Sequence, residues 1–402
     1  MITLAIETSC DETAICIIET EGTTKYRILS NLVHSQIDLH RQYGGVFPIM
    51  AKREHARNIM PLIEEAFREA SINLKQAEAT QHTKVKIEDI LKAKEPELLA
   101  ALTASPLYKQ IPTNIDRIAV TTGPGLEPAL WVGVNLARAL SVLWNIPVIG
   151  VNHMEGHIFG SLLSTSATAT KPITTESPYD NIIEPDLPAL ALLISGGHTE
   201  LVLVNAENTY TVIGRTKDDA IGEAFDKTAR MLGLPYPGGP EISRLAVLGR
   251  ERHSDGITLP RPMIHSRDLD FSFSGLKTAV LYLIRELTKN SSIELTDTQR
   301  EAIACEFENA VTDVLIAKTT KAIETHSIRS LIVGGGVIAN KHITKALTKL
   351  AEHYSIPLYT PPAGVSGDNA LMIGITSVLS DKAKILDIND SLSHRANGNL
   401  SL

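Results

Sequence analysis

The chain has 402 residues, longer than a usual single domain, and at roughly one domain per 150 residues it suggests two or three units. Hydrophobic residues make up 43% and charged residues 21%, too apolar for a disordered chain, and the three cysteines Cys10, Cys16 and Cys305 exclude a disulfide framework or a paired CxxC metal site. A net charge of -8 has the wrong sign for gripping nucleic acid unaided, so any RNA substrate needs a local basic surface or helper subunits.

The first residues, Met1-Ile-Thr-Leu-Ala-Ile6, show no basic leader with a cleavage site, and no apolar run approaches the ~18 residues of a membrane span, so the expected location is the cytoplasm. Residues 2–6 and 14–19 read as β-branched-rich strands joined by the polar loop Thr8-Ser-Cys-Asp-Glu-Thr13, with a third strand at 27–33. Ile59, Leu62, Ile63 and Ala66 recur at helical spacing and predict a helix over 51–70. A strand at 118–122 is broken by Gly123-Pro-Gly125, a helix follows over 129–143, and a strand at 147–151 leads into His153.

The second half repeats this order. Strands at 190–194, 201–204 and 210–215 surround a Ser195-Gly-Gly-His-Thr199 turn. Helices follow, then a strand at 331–333 that opens into Gly334-Gly-Gly336, a helix over 339–354 and a last helix over 369–379. Two meanders, each followed by alternating helices and strands, predict two α/β lobes, 1–150 and 151–365, with a ligand cleft between them. Residues 366–402 are expected as a C-terminal helix returning to the first lobe, plus a polar tail. Residues 76–113, with a short helix over 87–94, and the Ser, Thr and Pro-rich stretch 164–186 read as an insertion and a mobile surface loop.

In His153-Met-Glu-Gly-His157 the two histidines stand four apart, so on a helix they share a face and can bind one metal; the other reading is one exposed and one core histidine. A zinc peptidase needs a glutamate directly after the first histidine, where this chain has Met154. Glu155 lies about 200° round the helix and points away from a metal at those histidines. The Ser195-Gly-Gly-His-Thr199 turn lets a ligand approach the backbone and offers amides and the Ser195 hydroxyl to phosphate or carboxylate oxygens; a bare hairpin is the alternative. Gly334-Gly-Gly336, between strand and helix, offers amides and a helix dipole to a nucleotide. Asp226, on a helix, is either an acceptor for ribose hydroxyls or a solvated carboxylate.

Set in order, Glu7-Thr-Ser-Cys-Asp-Glu-Thr13, Gly123-Pro-Gly-Leu126, Asn152-His-Met-Glu-Gly-His157, Ser195-Gly-Gly-His-Thr199, Gly222-Glu-Ala-Phe-Asp-Lys227, Tyr236-Pro-Gly-Gly-Pro240, Phe271-Ser-Phe-Ser-Gly275 and Ser366-Gly-Asp-Asn369 resemble the TsaD family of tRNA N6-adenosine threonylcarbamoyltransferases. The resemblance spans nearly the whole chain outside 76–113 and 164–186. It implies the actin-like ATPase fold of two ribonuclease H-like lobes. It also implies transfer of a threonylcarbamoyl group from threonylcarbamoyl-AMP to N6 of adenosine 37 in tRNAs reading codons that begin with adenine.

Carried over by position, one divalent metal, iron(II) or else zinc, would be held by His153, His157 and Asp368. The adenylate would be held by Ile194, Ser195, Gly196, Gly197, His198, Asp226, Gly239 and Asn340. Expected partners are tRNA, a TsaB-like silent relative and a TsaE-like small ATPase. Two imidazoles and a carboxylate suit iron or zinc and leave open positions for substrate oxygens, so the metal would polarise the carbamoyl or phosphate group. No general base stands out; Asp11 and Glu12 are the candidates. Many relatives carry a carboxylate four residues after Gly239, where this chain has Ser243, with Glu241 nearby. The competing function is a nucleotide-binding ATPase or kinase-like switch or scaffold of the same fold, which would hold magnesium through phosphates and carboxylates.

Overall fold

A computed structural model describes the chain apart from residues 165–178, 206–208, 253–255, 289–293, 381–383 and 387–394. The surface loop expected at 164–186 therefore lies largely outside the described residues, as does much of the polar tail. Contacts divide the chain into two compact units: Met1–Asp38, Val46–Glu184 and Pro361–Leu402 form the first, Leu39–Gly45 and Pro185–Thr360 the second. Among the described residues no helix is long and apolar enough to cross a membrane.

The strands of the first unit are β1 (Ile2–Glu7), β2 (Glu12–Glu21), β3 (Lys25–Ser35), β4 (Leu74–Gln76), β5 (Gln110–Pro112), β6 (Arg117–Gly123), β7 (Val148–Asn152) and β8 (Asp180–Asn181). The second holds β9 (Ala189–Ile194), β10 (Thr199–Val204), β11 (Tyr210–Arg215), β12 (Ser330–Gly334) and β13 (Leu358–Tyr359), and β14 (Lys384–Leu386) returns to the first. A short α1 (Ile37–Arg41) precedes α2 (Pro48–Glu69), α3 (Gln81–Leu91), α4 (Pro96–Ala104), α5 (Glu127–Trp144) and α6 (His153–Gly160). The second unit adds α7 (Ile221–Met231), α8 (Gly238–Glu251), α9 (Ser274–Leu287), α10 (Asp297–His326) and α11 (Lys341–Tyr354), and α12 (Ala370–Leu379) belongs to the first.

In the first unit the sheet order is β14-β7-β6-β1-β2-β3-β8; β1, β2 and β3 form an antiparallel meander, while β6 and β7 run parallel to β1 on its other side. The second unit repeats this as β11-β10-β9-β12-β13, with an antiparallel β9 to β11 and parallel β12 and β13. This is the ribonuclease H-like order in duplicate, the α/β frame of the actin-like fold. The central strands are apolar on both faces because helices cover both: Leu4, Ala5 and Ile6 in β1 and Leu190 to Ile194 in β9 are fully buried. In the first unit α2 and α5 supply Ile59, Ile63, Leu136 and Leu140 to one core. On the other face Gly374 of α12 lies so near the sheet that a Cβ there would come within 2.9 Å of Ile18 Cδ1 and 3.3 Å of Ala5 Cβ.

The lobe boundary expected at 150 lies instead after Glu184. Strand β7 runs into α6 without a linker, and α6 packs on α12 closely enough that a Cβ at Gly156 would stand 3.2 Å from Ile373 Cδ1. Residues 151–184 therefore stay with the first unit. The stretch expected as an insertion is no loose appendage, since Ile87, Leu91, Leu98 and Leu102 enter the first unit's core. Its first helix starts at Gln81, ahead of the expected 87, because Thr80 caps it by accepting from the Thr83 N–H at 3.1 Å.

Residues 395–402 lie along the Gly123-Pro-Gly125 turn. The Asn397 N–H donates to Thr122 O at 2.8 Å and the Gly125 N–H to Gly398 O at 3.2 Å, with Ala396 buried in the core. Gly123 has φ 148°, and a Cβ there would collide with Asn397 O at 2.0 Å, so this position requires glycine.

Candidate metal centre and ligand cavity

Asn152 ends β7 and caps α6, its Oδ1 accepting from the N–H groups of Met154 at 2.9 Å and Glu155 at 3.3 Å. Its Nδ2 donates to Ser401 O at 3.1 Å. The cap fixes where the helix begins, so His153 opens it and His157 stands one turn later on the same face. Glu155 faces elsewhere and accepts from the buried Ser380 Oγ at 2.6 Å. Asp368 comes from the segment before α12. Asn369 caps that helix by accepting from the Met372 N–H at 3.0 Å, and its Nδ2 donates to Val365 O at 2.9 Å and Gly367 O at 2.8 Å, clasping the turn that carries Asp368.

These two caps bring three ligand-type atoms together. His153 Nε2 and His157 Nε2 each lie 3.3 Å from Asp368 Oδ1, and the three groups offer ligand atoms all within 4.8 Å of one another. The imidazole rings meet edge to face, centroids 4.7 Å apart at 81°. His157 Nε2 is buried and makes no hydrogen bond among the described residues. A buried nitrogen aimed with its neighbour at one carboxylate oxygen is what a divalent cation would satisfy, so the residues fit a metal.

Sequence reasoning missed Glu7, the residue behind His153. Its buried Oε2 lies 3.0 Å from His153 Nδ1 and accepts from Thr121 Oγ1 at 2.6 Å, while Oε1 accepts from the Ser9 N–H. With Nδ1–H donating to this carboxylate, Nε2 is the nitrogen left for a metal. Its sequence signals are a carboxylate that ends a largely apolar strand and its place at the head of the motif Glu7-Thr-Ser-Cys-Asp-Glu-Thr13.

Charges at the centre are strongly perturbed. Burial would lower the His153 pKa, but the charges and hydrogen bonds of Asp368 and Glu7 raise it well above the usual 6.5. Asp368 is pushed up by burial yet held well below the usual carboxylate range by His153 and His157. In the first loop, burial and then the charges of Asp11 and Asp368 push the Glu12 carboxyl up to about 10, and burial chiefly raises the Cys10 thiol. Asp11 itself is 6% exposed.

The second unit contains a cavity of about 580 Å³ lined by Gly196, Asp226, Gly239 and Asn340 among others, four of the residues expected to hold an adenylate. Ile194, Ser195, Gly197 and His198 are outside that lining: Ile194 is buried in β9, and Ser195 Oγ closes its own turn by accepting from the His198 N–H at 3.1 Å. Asp226 Oδ1 accepts from the Gly238 N–H at 2.7 Å and so ties α7 to the start of α8. Gly334-Gly-Gly336 lies between strand and helix as expected, with α11 opening at Lys341 rather than 339. A short turn at Gly336–Ala339 intervenes, and Asn340 caps α11, so the first amides of that helix serve its own cap. Gly335 instead permits close approach, for a Cβ there would lie 2.3 Å from Ile194 O.

Comparison with known proteins adds two findings. The family model described as TsaD, tRNA N6-adenosine threonylcarbamoyltransferase, matches residues 27–84 and 108–375, leaving 1–26, 85–107 and 376–402 outside the match. Proteins named tRNA N6-adenosine threonylcarbamoyltransferase from Chromobacterium violaceum and Bacillus subtilis are each 39% identical to this chain, covering 94% of it and 93% and 90% of their own lengths. One from Halalkalibacterium halodurans is 39% identical over 96% of this chain and 94% of its own.

Proposed function

This chain belongs to the tRNA N6-adenosine threonylcarbamoyltransferase family, and from that membership we propose how its residues carry out the transfer of a threonylcarbamoyl group to N6 of adenosine 37 in tRNA. The relatives' names favour this transferase function over an ATPase or kinase-like switch. The donor in this reading is threonylcarbamoyl-AMP, with its adenylate in the cavity walled by Gly196, Asp226, Gly239 and Asn340.

His153, His157 and Asp368 hold one divalent ion, iron(II) in preference to zinc, and their convergence is the observation that carries the proposal. Such an ion supplies Lewis-acid polarisation of a carbamoyl or phosphate oxygen. Glu7 keeps the His153 ring turned, with its proton at Nδ1. Without a cation, burial and the charges of Asp11 and Asp368 push Glu12 up to about 10; a cation on Asp368 opposes those charges, so Asp11 and Glu12 are the candidates to take the proton of the attacking amine. With net charge -8, the chain draws on helper subunits for tRNA, a TsaB-like relative and a TsaE-like ATPase, and it works in the cytoplasm.

The test uses purified protein supplied with tRNA, a donor-generating synthase, threonine, bicarbonate, ATP and the helper subunits. Wild type is expected to carry about one metal ion per chain and to modify tRNA, and His153→Ala/His157→Ala to lose both. A double variant that still modifies tRNA at the wild-type rate would sink the metal reading.

A further inference from the structure

Strands β1 and β2 are joined by residues 8–11, the first loop, which carries Asp11 and leads into Glu12. Three carbonyls in succession along it are held. The Leu126 N–H donates to Ser9 O at 2.7 Å and the Gln36 N–H to Asp11 O at 2.9 Å. Between them Cys10 O lies 2.9 Å from His55 Nε2. A carbonyl oxygen can only accept, so the ring carries a hydrogen on Nε2 and donates it there. Nδ1, 2.7 Å from Thr13 Oγ1 and faced by Gln36 Nε2 at 3.4 Å, is then the acceptor.

Of these three donors to the loop, His55 alone is a side chain. It comes from α2, fully buried, one turn after the buried Ala51 and one turn before Ile59. A histidine at core spacing commonly does no more than fill the core with its polar atoms satisfied. Here both nitrogens meet the stretch from Cys10 to Thr13, 45 and 42 positions away in sequence. The two bonds are not equivalent. Thr13 is already fixed by the pairing of β2 with β3, opposite His34. Cys10 lies outside the strands, and its carbonyl fixes the peptide plane that enters Asp11, as Asp11 O fixes the plane that leaves it. With both planes held, the φ and ψ of Asp11 are set and its Cβ has one direction.

We propose that His55 is a positioning residue for Asp11, holding the Cys10–Asp11 peptide so that the Asp11 carboxylate stands where N6 of the substrate adenosine gives up its proton. The proposal rests on the reading that this chain performs the threonylcarbamoyl transfer, and it takes Asp11 as the proton acceptor. In that transfer N6 bonds to the carbamoyl carbon, and the bond from that carbon to the phosphate oxygen breaks with its electron pair leaving on AMP. One N6 proton passes to the carboxylate. A group displaced by about 1 Å loses about a hundredfold in such a step.

The experiment measures rates at saturating tRNA and threonylcarbamoyl-AMP with the helper subunits present, and a thermal melt of each variant confirms folding. An asparagine amide overlays Nδ1 and a glutamine amide Nε2, so His55→Asn gives up the Cys10 bond while His55→Gln keeps it. His55→Asn is expected to lower kcat about tenfold to a hundredfold with both KM values unchanged, and His55→Gln to stay within about threefold of wild type. Thr13→Val, which gives up only the other bond, is expected to keep the rate. Asp11→Asn should lower kcat about a hundredfold or more, and adding His55→Asn to it should lower kcat no further, since nothing is left to position. A merely structural role would make the two His55 variants alike and their losses additive with that of Asp11→Asn. Equal rates for His55→Asn and His55→Gln, an additive double variant, or a hundredfold loss in Thr13→Val would overturn the proposal alone. If Asp11→Asn keeps the wild-type rate, the reading of Asp11 as proton acceptor falls and the proposal with it.

Discussion

Glu7 has no exposure to solvent, and among the described residues its carboxylate is held by His153, Thr121 and the Ser9 amide. A buried carboxylate behind a histidine fixes the ring and raises its basicity, so its loss is felt at whatever the ring binds. Glu7→Ala is expected to weaken metal affinity about tenfold to a hundredfold by chelator competition, and Glu7→Gln, whose carbonyl still accepts from Nδ1, to weaken it less.

The same pair sets a pH dependence in the metal-free protein. His153 has a folded pKa above its usual 6.5, so its contribution to stability is fully present below about pH 6.5 and fades as pH rises through the folded value. A metal needs the neutral imidazole and gains on the proton over that range. The melting-temperature gap between metal-loaded and metal-free protein should widen as pH rises above about 6.5; a constant gap would contradict the assignment. From sequence, the i,i+4 spacing exposed His153 and His157 directly, while Asp368 was named only through the family's motifs. Glu7 lies 146 residues from His153, and no local period links positions so far apart.

At the level of elements, the candidate metal centre is a contact between two capped helices. Asn152 starts α6 and Asn369 starts α12, and glycines at 156 and 160 let the two approach, Gly160 lying where a Cβ would be 3.2 Å from Met372 Cβ. Asn369→Ala removes a cap worth about 1 kcal/mol and also frees the turn that carries Asp368. Denaturant unfolding of the metal-free protein should register that loss, and metal affinity should fall together with it.

Strand and helix positions were largely readable because the apolar periods of 2 and 3.6 are local. β11 falls on the expected residues 210–215, and α5 (Glu127–Trp144) encloses the expected 129–143. Where one unit ends is a tertiary fact. Residues 151–184 joined the first unit through the packing of α6 on α12, which no window of sequence around 150 contains. His55 was hidden for a related reason: it sits on the buried side of α2 with Ala51 and Ile59, where a histidine is read as core filling until its partners in the first loop are seen.

At the level of the whole molecule, each unit has its own sheet and its own core, and each carries one candidate site, the His153, His157 and Asp368 cluster in the first and the cavity in the second. A ligand that binds only the folded state stabilises by mass action, about 4 kcal/mol at a thousandfold excess over its Kd. Hydrogen exchange should therefore show metal slowing the amides of α6 and α12, and AMP slowing those of α7, α8 and residues 336–343. Unchanged exchange in α6 on metal addition would argue against the centre.

The first unit is assembled from three separated pieces of chain, its last strand, last helix and the segment along the Gly123-Pro-Gly125 turn all following Thr360. On a ribosome that order matters. The second unit's Pro185–Thr360 emerges whole while α6 still lacks α12, Asp368 and the carbonyl of Ser401 that anchors Asn152. Domains fold as units as they emerge, so nascent chains arrested once Thr360 is clear should already yield a protease-resistant second unit. Metal capture would wait until the segment after Thr360, with Asp368 and α12, has left the ribosome, so the candidate centre forms only after the second unit is complete.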